Sequence, residues 1–270
     1  MYSKYFDQIE RDGFCIVNNA IDKPTVEQLR QKIEHLYRYG EKPSEEKIPR
    51  LNQKSRVVYN PDHKDVYFSK VVFSIQPLRE ILLHFLNDEW YKQIPQNSPN
   101  YILRAMIARS SSNTALPMHI DSFIPSSGKR SYIMQAALLL NDQTEENGCT
   151  LVVPGSHRSD DYAPPEAFES ATPVIASKGD LVIWDSRLWH AALPNNTGED
   201  RWSLISTFTR WWIKQNYHTP ESLPSDIYNN LTDEERSILG YCSHPPKNEF
   251  DRIDIKAGYE IFNKQERENI

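Results

Sequence analysis

Long apolar runs are missing from this 270-residue chain, and so are cysteine pairs, abundant glycine and a surplus of positive charge. Each lack removes a class. No stretch approaches the roughly 20 apolar residues that a membrane-crossing helix needs, so a membrane protein is not expected. The opening, with Lys4, Asp7, Glu10 and Arg11 so early, does not read as a secretory leader. Cys15, Cys149 and Cys242 are odd in number and lack C-x-x-C spacing, which argues for free thiols in a reducing, cytoplasmic setting. With 31 basic and 37 acidic residues the formal charge is -6, the wrong sign for a general nucleic-acid or anionic-membrane binder. Only 9 glycines stand against 18 prolines, with 11% aromatics, a balance that fits short connections around strands better than a helix bundle.

What is present divides the chain by its rhythm. The length suits one substantial core, and a single domain over 1–270 is expected, with helical and loop support in 1–100, a β core in 101–212 and an extension in 213–270. A short amphipathic element from Tyr5 leads to a strand at Gly13 to Val17. A helix follows from about Pro24, capped by Asp22 or Thr25, with Leu29, Ile33 and Leu36 at helical spacing and Gly40 just past its end. Glu41 to Ser69 is polar and without period, a long excursion expected to be cover or surface loop. Pro77 to Trp90 returns to helical spacing. From Tyr101 the pattern is of strands: Tyr101 to Arg109, Met118 to Phe123, Ser131 to Leu140, Gly148 to Val153, Thr172 to Ala176, Asp180 to Trp184, Leu188 to Ala192 and Arg201 to Trp211. Strands in such number without interposed helices cannot form a parallel α/β sheet, whose crossovers need about a dozen residues each. They suit a mainly β jelly roll with helices packed outside. Thr232 to Glu235 matches a helix-starting capping box before Gly240, and the charged end from Lys264 reads as an extended tail.

Within the strand region, Met118-His119-Ile120-Asp121 puts an imidazole and a carboxylate two residues apart, so on a strand both point to one face. His190 offers a third ligand. Two imidazoles and one carboxylate leave coordination positions open, an arrangement that suits non-haem Fe(II) and oxygen chemistry, although catalytic zinc uses similar sets. Arg201 lies eleven residues after His190, and alternation puts it on the face of Ser203, Ile205, Thr207 and Thr209. If that face looks inward, its guanidinium needs an anion such as a carboxylate, and Ser203 joins the candidate contacts. Gln135 sits in an apolar run where a buried amide must find a partner, either a cosubstrate or metal-bound group or a structural hydrogen bond. Arg104 and Met106 share one strand face and are pocket candidates if it looks inward, whereas Arg109 should face the other way unless a bulge intervenes. Phe123 follows Asp121 on the same face and joins them. Trp184, Trp189 and Trp202 are read as sheet packing, any of them able to form a pocket wall, and Trp202 is carried as a candidate. Lys129-Arg130 reads as a solvated turn.

Several pieces together resemble the phytanoyl-CoA dioxygenase family. They are Tyr5-Phe6-Asp7 to Gly13-Phe14-Cys15-Ile16-Val17, His119-Ile120-Asp121, Asn147-Gly148-Cys149-Thr150-Leu151-Val152-Val153-Pro154-Gly155-Ser156-His157, Lys178-Gly179-Asp180-Leu181 to Trp189-His190, and Arg201. The resemblance runs from about residue 5 to 212. It implies a double-stranded β-helix, the cupin-like form of jelly roll, with Fe(II) held by His119, Asp121 and His190 and with 2-oxoglutarate and O2 as cosubstrates. Arg201 is implied to pair with the far carboxylate of 2-oxoglutarate, and His157 to be structural, closing its loop. Halogenating relatives resemble this pattern but carry a small residue where Asp121 stands, so hydroxylation, or a hydrogen-removing outcome such as desaturation or ring closure, is the implied reaction. The tryptophan that ectoine hydroxylases carry before the metal His is replaced by Met118, and no acyl-CoA signature is evident. A small metabolite or natural-product intermediate of secondary metabolism is therefore the expected substrate, with self-association to a homodimer left open. Two other readings remain: a peptide or protein hydroxylase of similar fold, and a non-catalytic, metal-containing binding module.

Overall fold

The computed structural model describes residues 2–44, 47, 55–89, 94, 97–245 and 248–250. The chain forms two compact units, one of Met1–Pro61 with Met106–Ser206 and one of Asp62–Ala105 with Thr207–Ile270. The segments interleave, which differs from the consecutive division expected at 100 and 212.

In the first unit, α1 (Ser3–Asp12) ends where Gly13 turns left-handed at φ 86, a conformation that costs glycine nothing. Its neighbour β1 (Phe14–Val17) leads to α2 (Lys23–Tyr39). The Asp22 carboxylate starts α2 by accepting the Thr25 N–H at 2.9 Å, and Val26, Leu29 and Ile33 form its buried stripe. Gly40 closes α2 in extended rather than left-handed backbone. The strands that follow are β2 (Arg56–Tyr59), β3 (Ile102–Ser110), β4 (Leu116–His119), β5 (Ile133–Leu139), β6 (Thr150–Val152), β7 (Thr172–Pro173), β8 (Leu181–Asp185), β9 (His190–Ala192) and β10 (Trp202–Thr209). The unit boundary falls within β3 and β10.

Two sheets result, one of six strands in the order β1-β8-β5-β10-β3-β2 and one of four in the order β4-β9-β6-β7. Registered pairs such as β1/β8, β5/β8, β2/β3, β4/β9 and β6/β9 are all antiparallel. A core of Ala137, Leu139, Val182 and Trp184 from the larger sheet, with Ile205 packed against it, meets Val152 and Val174 from the side of the smaller one. Period-two alternation makes this possible, because each strand buries one set of side chains between the sheets. On the other face of the larger sheet, the fully buried Trp202 meets Tyr37 of α2 edge-on at 5.7 Å. Mainly antiparallel sheets with flanking helices form the expected jelly roll.

In the second unit, α3 (Val66–Ser74) and α4 (Gln76–Leu86) join three short helices, α5 (Thr219–Ser222), α6 (Ser225–Asn229) and α7 (Asp233–Ile238). The capping box at Thr232 and Glu235 is present. Arg79 grips Glu234 two-pronged at 2.8 and 3.0 Å, and Lys70 meets Glu235 at 2.5 Å. No described helix is long and apolar enough to cross a membrane.

Two expectations need correction. The Glu41 to Ser69 excursion holds β2 and the start of α3; β2 has only four residues, and α3 buries the adjacent Phe68, Ser69, Val71 and Val72, so no one-sided period shows. Residues 45–46 and 48–54 of that excursion lie outside the described residues, as do Trp90 and the tail from Lys264. The strand expected over Met118 to Phe123 stops at His119.

Candidate metal centre

Pairing of β4 with β9 places His119 directly opposite His190, after an irregularity between Leu116 and His119. Asp121 lies beyond the strand end. Its N–H donates to the Ser186 carbonyl at 2.8 Å, and the Ser122 N–H donates to the same oxygen at 3.0 Å, which swings the carboxylate back between the two rings. Asp121 Oδ1 stands 3.6 Å from His119 Nε2, and Oδ2 stands 3.3 Å from His190 Nε2. The rings are 4.1 Å apart, and one ligand atom from each residue lies within 4.8 Å of the others. Each Nδ1 faces a carbonyl two residues back, His119 that of Pro117 at 2.8 Å and His190 that of Leu188 at 2.9 Å. These contacts assign a ring proton to each Nδ1 and leave both Nε2 atoms facing the carboxylate, so that the three together offer the donor set a divalent cation requires.

Electrostatics agree with a cation site. Burial pushes the Asp121 carboxyl up, but His190 and His119 more than reverse this and hold it well below the usual carboxylate range. Burial pushes His190 down, whereas Asp121 and the Leu188 carbonyl give a net rise. The three groups together attract positive charge, and a divalent metal competes for it with a proton. One other group of similar composition, His218, Glu221 and His244, lies in the second unit among the described residues and is largely exposed.

The turn that supplies Ser186 is held by a buried ion pair. Arg187 contacts Asp185 through Nε at 2.9 Å and Nη2 at 2.8 Å, while Ser131 donates to Asp185 at 2.5 Å. Arg187 Nη1 also donates to the carbonyls of Ser126 and Gly128. One guanidinium thus fixes both the turn under Asp121 and the loop that follows it.

Arg201 stands immediately before β10 and is 8% exposed. Its Nε donates to Ser111 Oγ at 2.6 Å and the Asn147 carbonyl at 3.2 Å, Nη1 to Gln143 Oε1 at 3.0 Å and Ser203 Oγ at 3.2 Å, and Nη2 to the Gly148 carbonyl at 2.8 Å. All these acceptors are neutral. Burial pushes the guanidinium down to about 10, and nearby Arg109 adds to the fall. A buried cation with neutral acceptors is suited to an anionic ligand. Gln135 lies opposite Trp184 in the β5/β8 register, so both share the face between the sheets. The Trp184 ring meets His190 at 5.6 Å, and its buried Nε1 has no hydrogen-bond partner among the described residues.

Four expected pocket residues are placed elsewhere. Trp202 packs outward on Tyr37. Met106 is fully buried and alternates with Ala108 and Ser110; the Ser110 hydroxyl binds Asp200, which pairs with Arg56 over the Tyr37 and Trp202 rings, so this is the helix-covered face. Arg104 belongs to the second unit, with Nε on the Lys214 carbonyl at 3.2 Å. Phe123, beyond the strand end, has φ 68 and is 66% exposed, so alternation from Asp121 does not reach it. By the same parity Arg109 falls on the face of Arg201 and Ser203, a position that the within-strand pattern cannot assign without knowing which face looks inward. His157 is buried apart from the triad, as a structural residue should be.

The family profile described as "Phytanoyl-CoA dioxygenase (PhyH)" matches residues 9–203. An uncharacterised protein of Mycobacterium tuberculosis is 35% identical over 102 residues, 37% of this chain and 37% of that one. The chain therefore spans only that 37% of the length of the first curated relatives it matches. The dioxygenase himG of Aspergillus japonicus is 22% identical over 282 residues, covering 94% of this chain and 85% of that protein. Among solved structures, HygX from Streptomyces hygroscopicus with nickel and 2-oxoglutarate bound gives a TM-score of 0.62 at 16% identity, over 78% of this chain and 88% of that one. The epimerase SnoN in complex with Fe3+, alpha ketoglutarate and nogalamycin RO gives 0.59 at 19% identity, over 77% and 83%. These structural likenesses show a shared fold.

Proposed function

The chain belongs to the phytanoyl-CoA dioxygenase family, and from that membership we propose that it is an Fe(II)- and 2-oxoglutarate-dependent oxygenase that hydroxylates an unactivated carbon of a small metabolite or natural-product intermediate. The observation that carries this reading is the convergence of His119, Asp121 and His190 at one end of a jelly roll that also buries the Arg201 cation. His119 Nε2, His190 Nε2 and an Asp121 oxygen would hold the metal. Arg201 and Ser203 would take the far carboxylate of 2-oxoglutarate, with Gln135 and Trp184 forming the wall beside His190. Iron bound there supplies the redox chemistry that couples O2 to the conversion of 2-oxoglutarate into succinate and carbon dioxide, one oxygen atom entering succinate and the other the product.

The protein's part is placement. The two Nδ1–H contacts fix the tautomer and orientation of the imidazoles, the Ser186 carbonyl sets the Asp121 backbone, and the core between the sheets keeps water from the Arg201 side. Asp121 would fill the ligand position that halogenating relatives leave open for a halide, which supports hydroxylation. HygX and SnoN structures contain hygromycin B and nogalamycin RO respectively, and those molecules support a natural-product substrate.

The test is anaerobic loading with Fe(II) and 2-oxoglutarate, admission of oxygen in the presence of a metabolite mixture, and measurement of succinate. Succinate should depend on both additions, and products should show the gain of one oxygen rather than the loss of two hydrogens. His119→Ala and Asp121→Ala should abolish succinate release while the protein remains folded. Full activity in either variant would overturn the site assignment.

A further inference from the structure

We propose that His218, Glu221 and His244 form a second metal site, for a zinc-class divalent ion, that clips the segment after α7 to α5; this site is independent of the oxygenase reading. The local sequence builds half of it. In His218-Thr219-Pro220-Glu221 the proline fits the first turn of a helix, where its missing N–H is no loss, and the Glu221 and Ser222 N–H groups both donate to the His218 carbonyl at 3.0 Å. Residues 218 and 221 thereby share one face, and His218 Nδ1 stands 3.1 Å from Glu221 Oε2. The His218 side chain makes no cap bond, so the imidazole is not committed to the helix.

The other half arrives from beyond α7. Gln215, just before the turn, donates through Nε2 to the Leu239 carbonyl at 3.2 Å and the Leu103 carbonyl at 2.7 Å, which bolts the two stretches together. Gly240 permits that approach: its backbone is left-handed at φ 93, and a Cβ there would lie 2.6 Å from Gln215 Oε1. The Ser243 N–H then donates to the Gly240 carbonyl at 3.1 Å, and the His244 ring stands edge-on to that of His218 with centroids 4.6 Å apart. One donor atom from each of the three residues lies within 4.8 Å of the others. Tetrahedral zinc, with bonds of about 2.0–2.1 Å, needs donors about 3.3 Å apart. The His218–Glu221 edge is already that short, and a small rotation of a side chain closes the others. Two imidazoles and one carboxylate suit zinc rather than magnesium or calcium, which take oxygen ligands, and they leave a fourth position for water. A His218–Glu221 contact alone, an exposed ion pair, contributes little and leaves His244 unexplained, whereas a shared ion accounts for all three.

The test titrates the full chain carrying His119→Ala and Asp121→Ala with Zn(II) alone, by calorimetry, so that the jelly-roll triad takes no part. One equivalent should bind. Adding His244→Asn or Glu221→Gln should weaken that binding by about tenfold or more, at least the cost of losing a contact that merely supports a metal ligand. Amide hydrogen exchange over Gly240 to His244 should slow when zinc is added and should stay unchanged once His244→Asn is present. His218 and Glu221 are exposed and His244 half-buried, so the variants should melt as the parent does without zinc. With the triad left intact, His244→Asn should lower zinc uptake by one equivalent, which reads the same site should the triad variant not fold. No zinc uptake in the triad variant when folded, undiminished affinity after either added substitution, uptake unchanged by His244→Asn in the otherwise unaltered chain, or binding without slower exchange would overturn the proposal.

Discussion

Replacing Arg201 by leucine separates a cosubstrate anchor from a structural cation. A guanidinium has five N–H donors. Ser111 and Asn147 hold the Nε proton, Gln143 and Ser203 the two on Nη1, and Gly148 one on Nη2. Among the described residues one N–H of Nη2 is left for a ligand, and Ser203, which accepts from Nη1, has its own proton to donate. A charge-assisted hydrogen bond contributes about 1.5–3 kcal/mol, and leaving a carboxylate buried without its countercharge raises the cost of truncation. About 3 kcal/mol is therefore expected for Arg201→Leu, or roughly 100-fold weaker binding of 2-oxoglutarate. Ser203→Ala loses about 1 kcal/mol, roughly fivefold. Calorimetry on Mn(II)-loaded protein reads both values, and a cooperative melting transition shows that the variants fold. Binding by Arg201→Leu within about threefold of the unaltered protein would refute the assignment.

Two further predictions concern the surroundings. Arg187→Met leaves Asp185, 1% exposed, without its counterion and should cost about 3–5 kcal/mol of stability; a lower melting temperature and weaker Mn(II) binding through the displaced Ser186 turn are the readouts, and an unchanged melting temperature would sink the idea. Burial holds His157 below its ordinary value, so the unfolded chain takes up a proton there before the folded one does. Stability should therefore be lost as pH falls below about 6.5 toward the folded-state value, and His157→Gln should melt with a shallower acid dependence; identical profiles would remove the effect.

The convergence of the proposed triad was legible because its spacing survives translation into structure: His119 and His190 lie on registered strands, and Asp121 follows closely enough that a turn can bring it back. Thr232 was legible as a cap, and the α2 cap was narrowed to Asp22 or Thr25, because a cap is a local hydrogen bond; the structure selects Asp22. Pocket walls were not, because a strand's two faces are distinguishable only against a partner. Alternation correctly grouped Arg104 with Met106 and separated Arg109, but which group looks inward depends on α2 covering Trp202 and Ser110, a contact between segments distant in sequence. Phe123 failed for a different reason. Alternation assumes a continuing strand, and the Ser186 carbonyl ends this one at the His119–Asp121 turn.

That same carbonyl makes the third proposed ligand exchangeable. Ser186 holds residue 121 by its main-chain N–H alone, and neither β4 nor β9 includes it in their ladder. The side chain at this position can change without disturbing a strand pair, whereas either histidine is built into the sheet. The scaffold thus separates what must be inherited intact from what is free to vary, and on the proposed reading one codon, at Asp121, would redirect the chemistry of an otherwise unaltered barrel.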